Sequence, residues 1–410
     1  MNKRVVLVLA SFPQLSETFI VNKFIGLIEK GWNIHVVCNH HHQHEYKNFA
    51  QLSKISALNN RIHRNWPVAP RWLPVLLFPI AFLKCLFTNP HGLARYLTRG
   101  YRVHGTSILK RFYVDSQIIA LRPGLVHFEF GATAVGRADI NQLLGCKEIV
   151  SFRGYDLNFS GLDTPDYYHD VWKFADGFQF LGEDLRQRAL RRGCPPEKPF
   201  AIIPPAIDVV FFTPRTEKDS TVIGASERPL RILSVGRLEW KKGYEYAFQA
   251  VRMLLDKGIS CEYHILGAGA YLAPLAFTRH QLGMEGVIQF LGAQPREVVR
   301  EQLDWADVFL HASISEGFCN VVLEAQAMEV PVVCTDAGGL PENVEDGVSG
   351  LVVPRREPVA LADKIEVLAS SPELRQRMGK AGRERTLHNF QVVTHLNNFQ
   401  ALYKRILIKG

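Results

Sequence analysis

Residues 315–325 read SEGFCNVVLEA and set two glutamates, Glu316 and Glu324, eight positions apart around a small, polar break. The preceding DVFLHAS reads as a strand, ISEGFC as the loop leaving it, and VVLEAQAM as a helix with Asn320 able to cap its start. Glu316 then lies in the loop and Glu324 about one turn into the helix. Free amides at a helix start form an anion site, and a carboxylate on either side could meet hydroxyl groups flanking the bound anion. Sugar, diphosphate and ribose have that layout in a sugar nucleotide. The same spacing also suits an ordinary amphipathic-helix glutamate with a second glutamate favouring the helix dipole.

A second constellation is SVGRLEWKKG at 234–243. Gly236 and Arg237 fall at a strand end, with Lys242 one loop later. A small residue there lets a ligand approach the backbone, and two cations can clamp a diphosphate; a solvated basic turn would look the same. HILGAGAY (264–271) has Gly267 and Gly269 after a strand, but Leu272 stands where a dinucleotide loop needs its third glycine, so a tight turn is expected. CNHHHQHEY (38–46) is rich in metal-ligand types, yet consecutive histidines point in different directions, so an exposed loop without a metal is expected.

These residues need elements to hold them. A chain of 410 residues exceeds one ordinary core and suggests about two domains. Its 47% hydrophobic and 21% charged residues exclude disordered and fibrous classes. Seven scattered cysteines without a CxxC pair suit a reducing compartment rather than a disulfide framework or a zinc site. The N-terminal RVVLVLA is β-branched and lacks an A-x-A site, so it reads as a first strand rather than a signal peptide. A helix over SETFIVNKFIGLIEKG and a strand at NIHVVCN follow, with further strands at GLVHFEF, CKEIVSF, GFQFLG and FAIIPPAID. The polar segment 213–228 reads as a linker or domain edge. A second alternating series begins at LRILSVGRL and runs through VPVVCTD to a turn-rich EDGVSGLVVP hairpin and a long helical end. Alternation of strand and helix implies parallel sheets flanked by helices, built twice.

Taken as a set, the motifs resemble the large retaining glycosyltransferase family 4. The family's E-x7-E signature matches Glu316 and Glu324, and its VGRL…KG signature matches Val235, Gly236, Arg237, Leu238, Lys242 and Gly243. RGCPPEKPFAIIPPAID and VIQFLGAQPREVVREQLDWADVFL extend the similarity over most of residues 120–400, and SFPQLSETFI looks like members that assemble exopolysaccharide or lipopolysaccharide. The resemblance implies an α/β GT-B fold of two Rossmann-like domains facing across a cleft. An acceptor-side domain is expected over 1–208 and a nucleotide-sugar domain over 209–385, with a C-terminal helix over about 386–410 able to pack back on the first. It implies a hexosyltransferase that needs neither cofactor nor divalent metal, with a nucleoside-diphosphate sugar as donor, UDP ahead of GDP. In that reading Arg237 and Lys242 neutralise the leaving diphosphate, Glu316 contacts the transferred sugar, and Glu324 holds the ribose hydroxyls. Gly236, the backbone of Gly317, Phe318 and Cys319, and Asn320 complete the donor site.

Two departures stand out. Where many members carry His in an HGxD motif, this chain reads FRGYD, with Arg153 in place of His and Asp156 retained. Arginine cannot act as a base but can hold a phosphate, a carboxylate or a hydroxyl; a salt bridge between Arg153 and Asp156 explains the pair equally well. Cys319 stands where glycine is frequent, which would tune the sugar pocket. His127 and Glu129 in VHFEFGA join Arg153 and Asp156 as acceptor-side candidates, against plain strand-end polarity.

The net charge of +8 is concentrated between Tyr46 and Val114, where eleven Lys/Arg and no Asp/Glu occur. Within it WLPVLLFPIAFLKCLF (72–87) is too short to cross a bilayer and contains Pro79 and Lys84. An apolar helix with flanking cations suits docking on an anionic membrane surface; a buried helix is the plainer alternative. Base-stacking aromatics and nucleic-acid fold signals are missing, so nucleic acid is not an expected partner. The expectation is a cytoplasmic, membrane-peripheral glycosyltransferase acting on a lipid-linked or growing glycan in bacterial cell-surface polysaccharide biosynthesis. A sugar-nucleotide epimerase on the same fold and a non-catalytic sugar-nucleotide-binding scaffold are the rivals.

Overall fold

A computed structural model describes residues 4–14, 17–215 and 223–408. The first strand, β1 (Arg4–Phe12), is buried on nearly all its length, as befits a central strand covered by helices on both sheet faces. With β2 (Asn33–His41), β3 (Ile62–Arg64), β4 (Leu125–Phe128), β5 (Lys147–Phe152), β6 (Gly177–Phe180) and β7 (Phe200–Ile202) it forms a seven-stranded sheet of order β3-β2-β1-β4-β5-β6-β7. A second, six-stranded sheet has the order β10-β9-β8-β11-β12-β13, from β8 (Leu230–Val235), β9 (Cys261–Leu266), β10 (Ile288–Gly292), β11 (Val308–His311), β12 (Val332–Thr335) and β13 (Gly350–Val353). All strand pairs are parallel. Each sheet has a switch point where chain order reverses, β1/β4 in one and β8/β11 in the other. Ligands in such sheets sit beyond the strand carboxyl ends at that place.

The chain divides into Met1–Ile203 with Leu396–Gly410, and Pro204–His395. The expected divisions lay at 208/209 and about 386. Residues up to 395 stay with the second unit because the helical end is broken. One helix, Pro372–Asn389, stops at Phe390, and the next spans Val392–Ile408. Phe390 is buried beside Phe318, and the Ile207 amide donates to the Phe390 carbonyl at 3.0 Å. Leu396, Phe399, Leu402, Tyr403 and Ile406, at helical spacing, are then buried in the first unit.

Two expectations are corrected. EDGVSGLVVP is not a hairpin: a turn leads into the edge strand β13, which runs parallel to β12. The helix Leu73–Thr88 is neither buried nor solvated throughout. Phe78 and Phe82 meet Phe112 edge-on and Ala81 and Cys85 are buried, whereas Val75, Leu76, Ile80, Leu83 and Phe87 are exposed. No helix among the described residues is long and apolar enough to cross a membrane. The centre of the expected linker, residues 216–222, lies outside the described residues, as do Leu15 and Ser16 of the SFPQLSETFI segment.

Candidate active site

The β8/β11 switch point gathers the chemistry of the second unit. After β8 the chain passes Gly236 and Arg237 and makes a short turn, Trp240–Lys242, ended by Gly243 at a φ of +62°. A Cβ on Gly243 would lie 2.2 Å from the Ala312 carbonyl oxygen, so only glycine lets this turn lie against the loop after β11. That loop is pinned in turn, since the Ile314 amide donates to the Lys241 carbonyl at 2.7 Å.

The two loops meet side chain to side chain. Lys242 Nζ donates to Glu316 Oε1 at 2.5 Å, and the same oxygen lies 3.0 Å from His311 Nε2 and 2.8 Å from Ser313 Oγ. Cys319 Sγ is 3.4 Å from His311 Nε2. Burial would raise the Glu316 carboxyl, but Lys242 and His311 outweigh it and hold it far below the ordinary carboxylate range. Burial lowers His311, yet Cys319 and Glu316 beside it lift it to about 9. Lys242 is likewise kept above its ordinary value by Glu316 in spite of burial. The site therefore holds an ammonium, an imidazolium and a carboxylate in contact.

Arg237 is two-thirds exposed and pairs with Glu239 at 2.7 Å, close enough to Lys242 to oppose its charge. Tyr244 donates to the Gly236 carbonyl at 3.0 Å. The Gly267–Gly269 segment is a close packing contact: a Cβ on Gly267 would fall 1.8 Å from the Gly236 carbonyl oxygen and one on Gly269 2.2 Å from that of Leu238. Its glycines let neighbouring loops touch.

Glu324 lies one turn into the helix Asn320–Ala327. Its carboxylate makes no hydrogen bond or ion pair among the described residues, and burial lifts it to about 7 against the opposing charge of Arg296. The helix start differs from expectation. Cys319 occupies the cap position and Asn320 is the first helical residue. The capping work falls to Asn343, which accepts from the Cys319 amide at 3.2 Å and donates to the Cys319 carbonyl at 2.9 Å. Gly317 supports the loop after β12, because a Cβ on Gly339 would meet the Gly317 carbonyl oxygen at 2.1 Å. Phe318 packs towards Phe390, with ring centroids 5.9 Å apart.

The β1/β4 switch point of the first unit carries a separate buried charge network. Glu129 is bonded to Lys23 and lies 3.2 Å from an Arg153 guanidinium nitrogen. Burial would raise Glu129, but Lys23, His127 and Arg153 hold it down at about 2; burial takes Lys23 down to about 8. His127 has both ring nitrogens engaged, by Tyr403 at 2.7 Å and Ser151 at 2.8 Å, and burial lowers it to about 3. Neither His127 nor Glu129 has an exposed atom to offer an acceptor. The anticipated Arg153–Asp156 bridge is replaced by Arg153–Glu129, with the guanidinium also 4.6 Å from the Phe19 ring. Asp156 instead accepts from the backbone amides of Arg153 at 2.8 Å and Ala132 at 2.9 Å. Its short helix start takes the carboxylate that Arg153 would otherwise have had.

Sequence reasoning missed His311, Ser313, Asn343, Lys23 and Glu17. His311 and Ser313 alternate at the end of β11 and so share a face, which was a legible signal. Asn343 and Lys23 join partners 24 and 106 positions away, and no local pattern announces that. Glu17 opens the helical stretch before Phe19, and burial lifts its carboxyl to about 7 near Arg153. The histidines at 40–44 take no part in the one metal-like grouping of His, Cys, Asp and Glu among the described residues, which is His311, Glu316 and Cys319.

A family model described as "Glycosyl transferases group 1" matches residues 215–385. WcaL of Salmonella typhimurium, a glycosyltransferase named for colanic acid biosynthesis, is 30% identical over 375 residues, covering 87% of this chain and 88% of that protein. AmsK of Erwinia amylovora, named as an amylovoran biosynthesis glycosyltransferase, is 26% identical over 86% of this chain and 87% of its own. Among solved structures, Anabaena HepE in complex with UDP and glucose superposes with a TM-score of 0.71 at 16% identity, over 98% of this chain and 99% of that one.

Proposed function

The chain belongs to the group 1 glycosyl transferases, and from that premise we propose that it moves a hexosyl group, with retention, from a nucleoside-diphosphate sugar to a lipid-linked or growing polysaccharide. The observation that carries the donor reading is Glu324: a half-buried carboxylate one turn into the helix that follows the Lys242–Glu316–His311 cluster, with no hydrogen bond or ion pair among the described residues. Hydroxyls of a ribose would supply the missing donors. The amides of Gly317, Phe318, Cys319 and Asn320 would meet the diphosphate, Gly236 would admit it to the backbone, and Arg237 and Lys242 would neutralise it. Glu316 would hold the sugar.

In the reaction the bond from the anomeric carbon to the diphosphate oxygen breaks, and the acceptor hydroxyl forms the new bond on the same face. Its proton goes to the departing phosphate oxygen. Charge developing on that oxygen is met by fixed cations and helix amides, an electrostatic role for which no divalent metal is needed. A donor with UDP is favoured by HepE having been solved with UDP and glucose. A cell-surface polysaccharide acceptor is favoured by relatives named for colanic acid and amylovoran. The exposed apolar face of helix Leu73–Thr88, in a segment rich in cations, supports work at the inner surface of the cytoplasmic membrane.

A thermal-shift series against UDP, GDP, ADP and their sugar conjugates tests the donor site, since a ligand of the native state raises its midpoint. One nucleotide family should raise it, and Glu324→Ala should weaken that binding about tenfold or more, the worth of a hydrogen bond to a charged group. Equal shifts in both proteins would remove the ribose assignment. Free nucleotide with an epimerised sugar and no acceptor product would point to an epimerase instead.

A further inference from the structure

The cluster around Glu316, the proposed sugar contact, has the make-up of a soft-metal site. One ligand atom from each of His311, Glu316 and Cys319 lies within 4.8 Å of the others. The nitrogen–oxygen separation is 3.0 Å and the sulfur–nitrogen separation 3.4 Å. Zinc bonds of about 2.3 Å to sulfur and 2.0–2.2 Å to nitrogen and oxygen, at tetrahedral angles, put ligand atoms roughly 3.3–3.6 Å apart. The nitrogen–oxygen and sulfur–nitrogen pairs need to open by only a few tenths of an ångström to accept such an ion, and the oxygen and sulfur lie within 4.8 Å of one another. Ser313 Oγ, 3.0 Å from His311 Nε2 and 2.8 Å from Glu316 Oε1, is placed to hold a water as the fourth ligand. Strand β11 fixes His311 at one end, and Asn343 fixes Cys319 at the other. The proposed transfer uses the Cys319 backbone amide and no chemistry of its thiol, which is the second reason to look for another role.

We propose that His311, Glu316 and Cys319 bind zinc or a similarly soft divalent cation, and that the bound ion excludes the sugar donor. The cation would take Glu316 Oε1 from Lys242, release to solvent both the thiol proton of Cys319 and the Nε2 proton of the His311 imidazolium, and place a positive charge beside the ammonium. Lys242 would then lose the partner that holds it at the switch point. Zinc thus acts as a reversible inhibitor of an enzyme that does not need it. The metal site stands on its own geometry; the exclusion of donor rests on the donor reading above.

The test uses the full chain, freed of metal with a chelator and titrated with Co²⁺. A thiolate-to-cobalt charge-transfer band should saturate at one ion per chain and disappear on adding Zn²⁺. It should be lost in Cys319→Ser and in His311→Gln, and kept in Cys334→Ser, whose thiol lies on the adjacent strand β12. No band, or a band surviving Cys319→Ser with native circular dichroism, overturns the metal site. The nucleotide-induced thermal shift is then repeated with stoichiometric zinc: donor affinity should fall at least tenfold in the unaltered chain and stay unchanged by zinc in Cys319→Ser. A cobalt band with undiminished donor affinity overturns the inhibition. Absence of donor binding in the metal-free chain would sink the donor reading and the inhibition with it, while the cobalt spectrum still decides the metal site.

Discussion

Lys242 and Glu316 illustrate how a charge can be both structural and poised for chemistry. Removing the ammonium in Lys242→Ala leaves Glu316 buried with one partner fewer and, in the proposed reaction, would leave the departing diphosphate with one cation fewer. A fall in kcat of about 10²–10³-fold is expected, with a smaller change in KM; steady-state kinetics with unchanged kcat would remove Lys242 from the transition state. The cluster also sets a pH window for stability. Glu316 is lowered from 4.5, so its contribution is present above 4.5 and lost as acid protonates it. His311 is raised from 6.5 to about 9, so its contribution is complete below 6.5 and lost as pH climbs through 9. Denaturation midpoints of the unaltered chain minus those of His311→Gln should therefore shrink between 6.5 and about 9. Glu324, lifted to about 7, has a different consequence. In the proposed donor site its ionised form would accept ribose hydroxyls more strongly, so donor affinity should rise as pH passes through 7, and the rise should vanish in Glu324→Gln. Calorimetric titration on either side of 7 checks this.

Two elements make predictions independent of donor chemistry. Strand β5 buries Glu148 with neither carboxylate oxygen hydrogen-bonded among the described residues. Burial, with Asp176 and Asp139 adding to it, raises its carboxyl well above 4.5. The folded state therefore holds a proton that the unfolded chain releases above 4.5, and this site makes the fold less stable as pH rises. One such proton is worth about 1.4 kcal/mol of stability per pH unit. Glu148→Gln removes that loss and should stabilise the protein, increasingly so at higher pH; a loss of stability in denaturant titrations would show that Glu148 has an ionic partner. The helix Leu73–Thr88 presents Leu76 and Phe87 to solvent while Phe78 and Phe82 anchor it. Leu76→Asp with Phe87→Asp should abolish sedimentation with anionic vesicles and leave the melting midpoint unchanged. Undiminished sedimentation would remove this helix from membrane docking.

At the scale of the molecule, the last helix decides how the chain can be divided. Phe399 and Tyr403 are fully buried in the first unit, Tyr403 bonding His127 and meeting the Trp32 ring. A fragment ending at Ile203 would leave that face of the core open and His127 Nδ1 without its Tyr403 hydrogen bond. It should fail to fold cooperatively, and a peptide covering 392–408 should restore it; cooperative melting of the fragment alone would contradict this assignment. Tyr403→Ala in the full chain should cost about 3–5 kcal/mol, the usual loss for deleting a buried ring.

Much was legible in the order of residues, for a physical reason: period and punctuation are local properties. The aliphatic runs of β1, β8, β11 and β12 and the helical spacing of Thr18–Glu29 and Tyr244–Asp256 followed from side-chain periodicity. Glu316, Glu324 and Lys242 stood out because loops and helix starts at strand ends carry chemistry. Tertiary structure alone decided which charge meets which. Arg153 pairs with Glu129 rather than with Asp156, whose carboxylate is held by backbone amides. Asn343 rather than Asn320 secured the helix start, and β13 lay parallel to β12 where the turn residues suggested a hairpin. His311 joined Cys319 across the loop. Such pairings depend on burial, which makes a buried ion seek any partner the fold brings within reach, and sequence separation says nothing about which one that is.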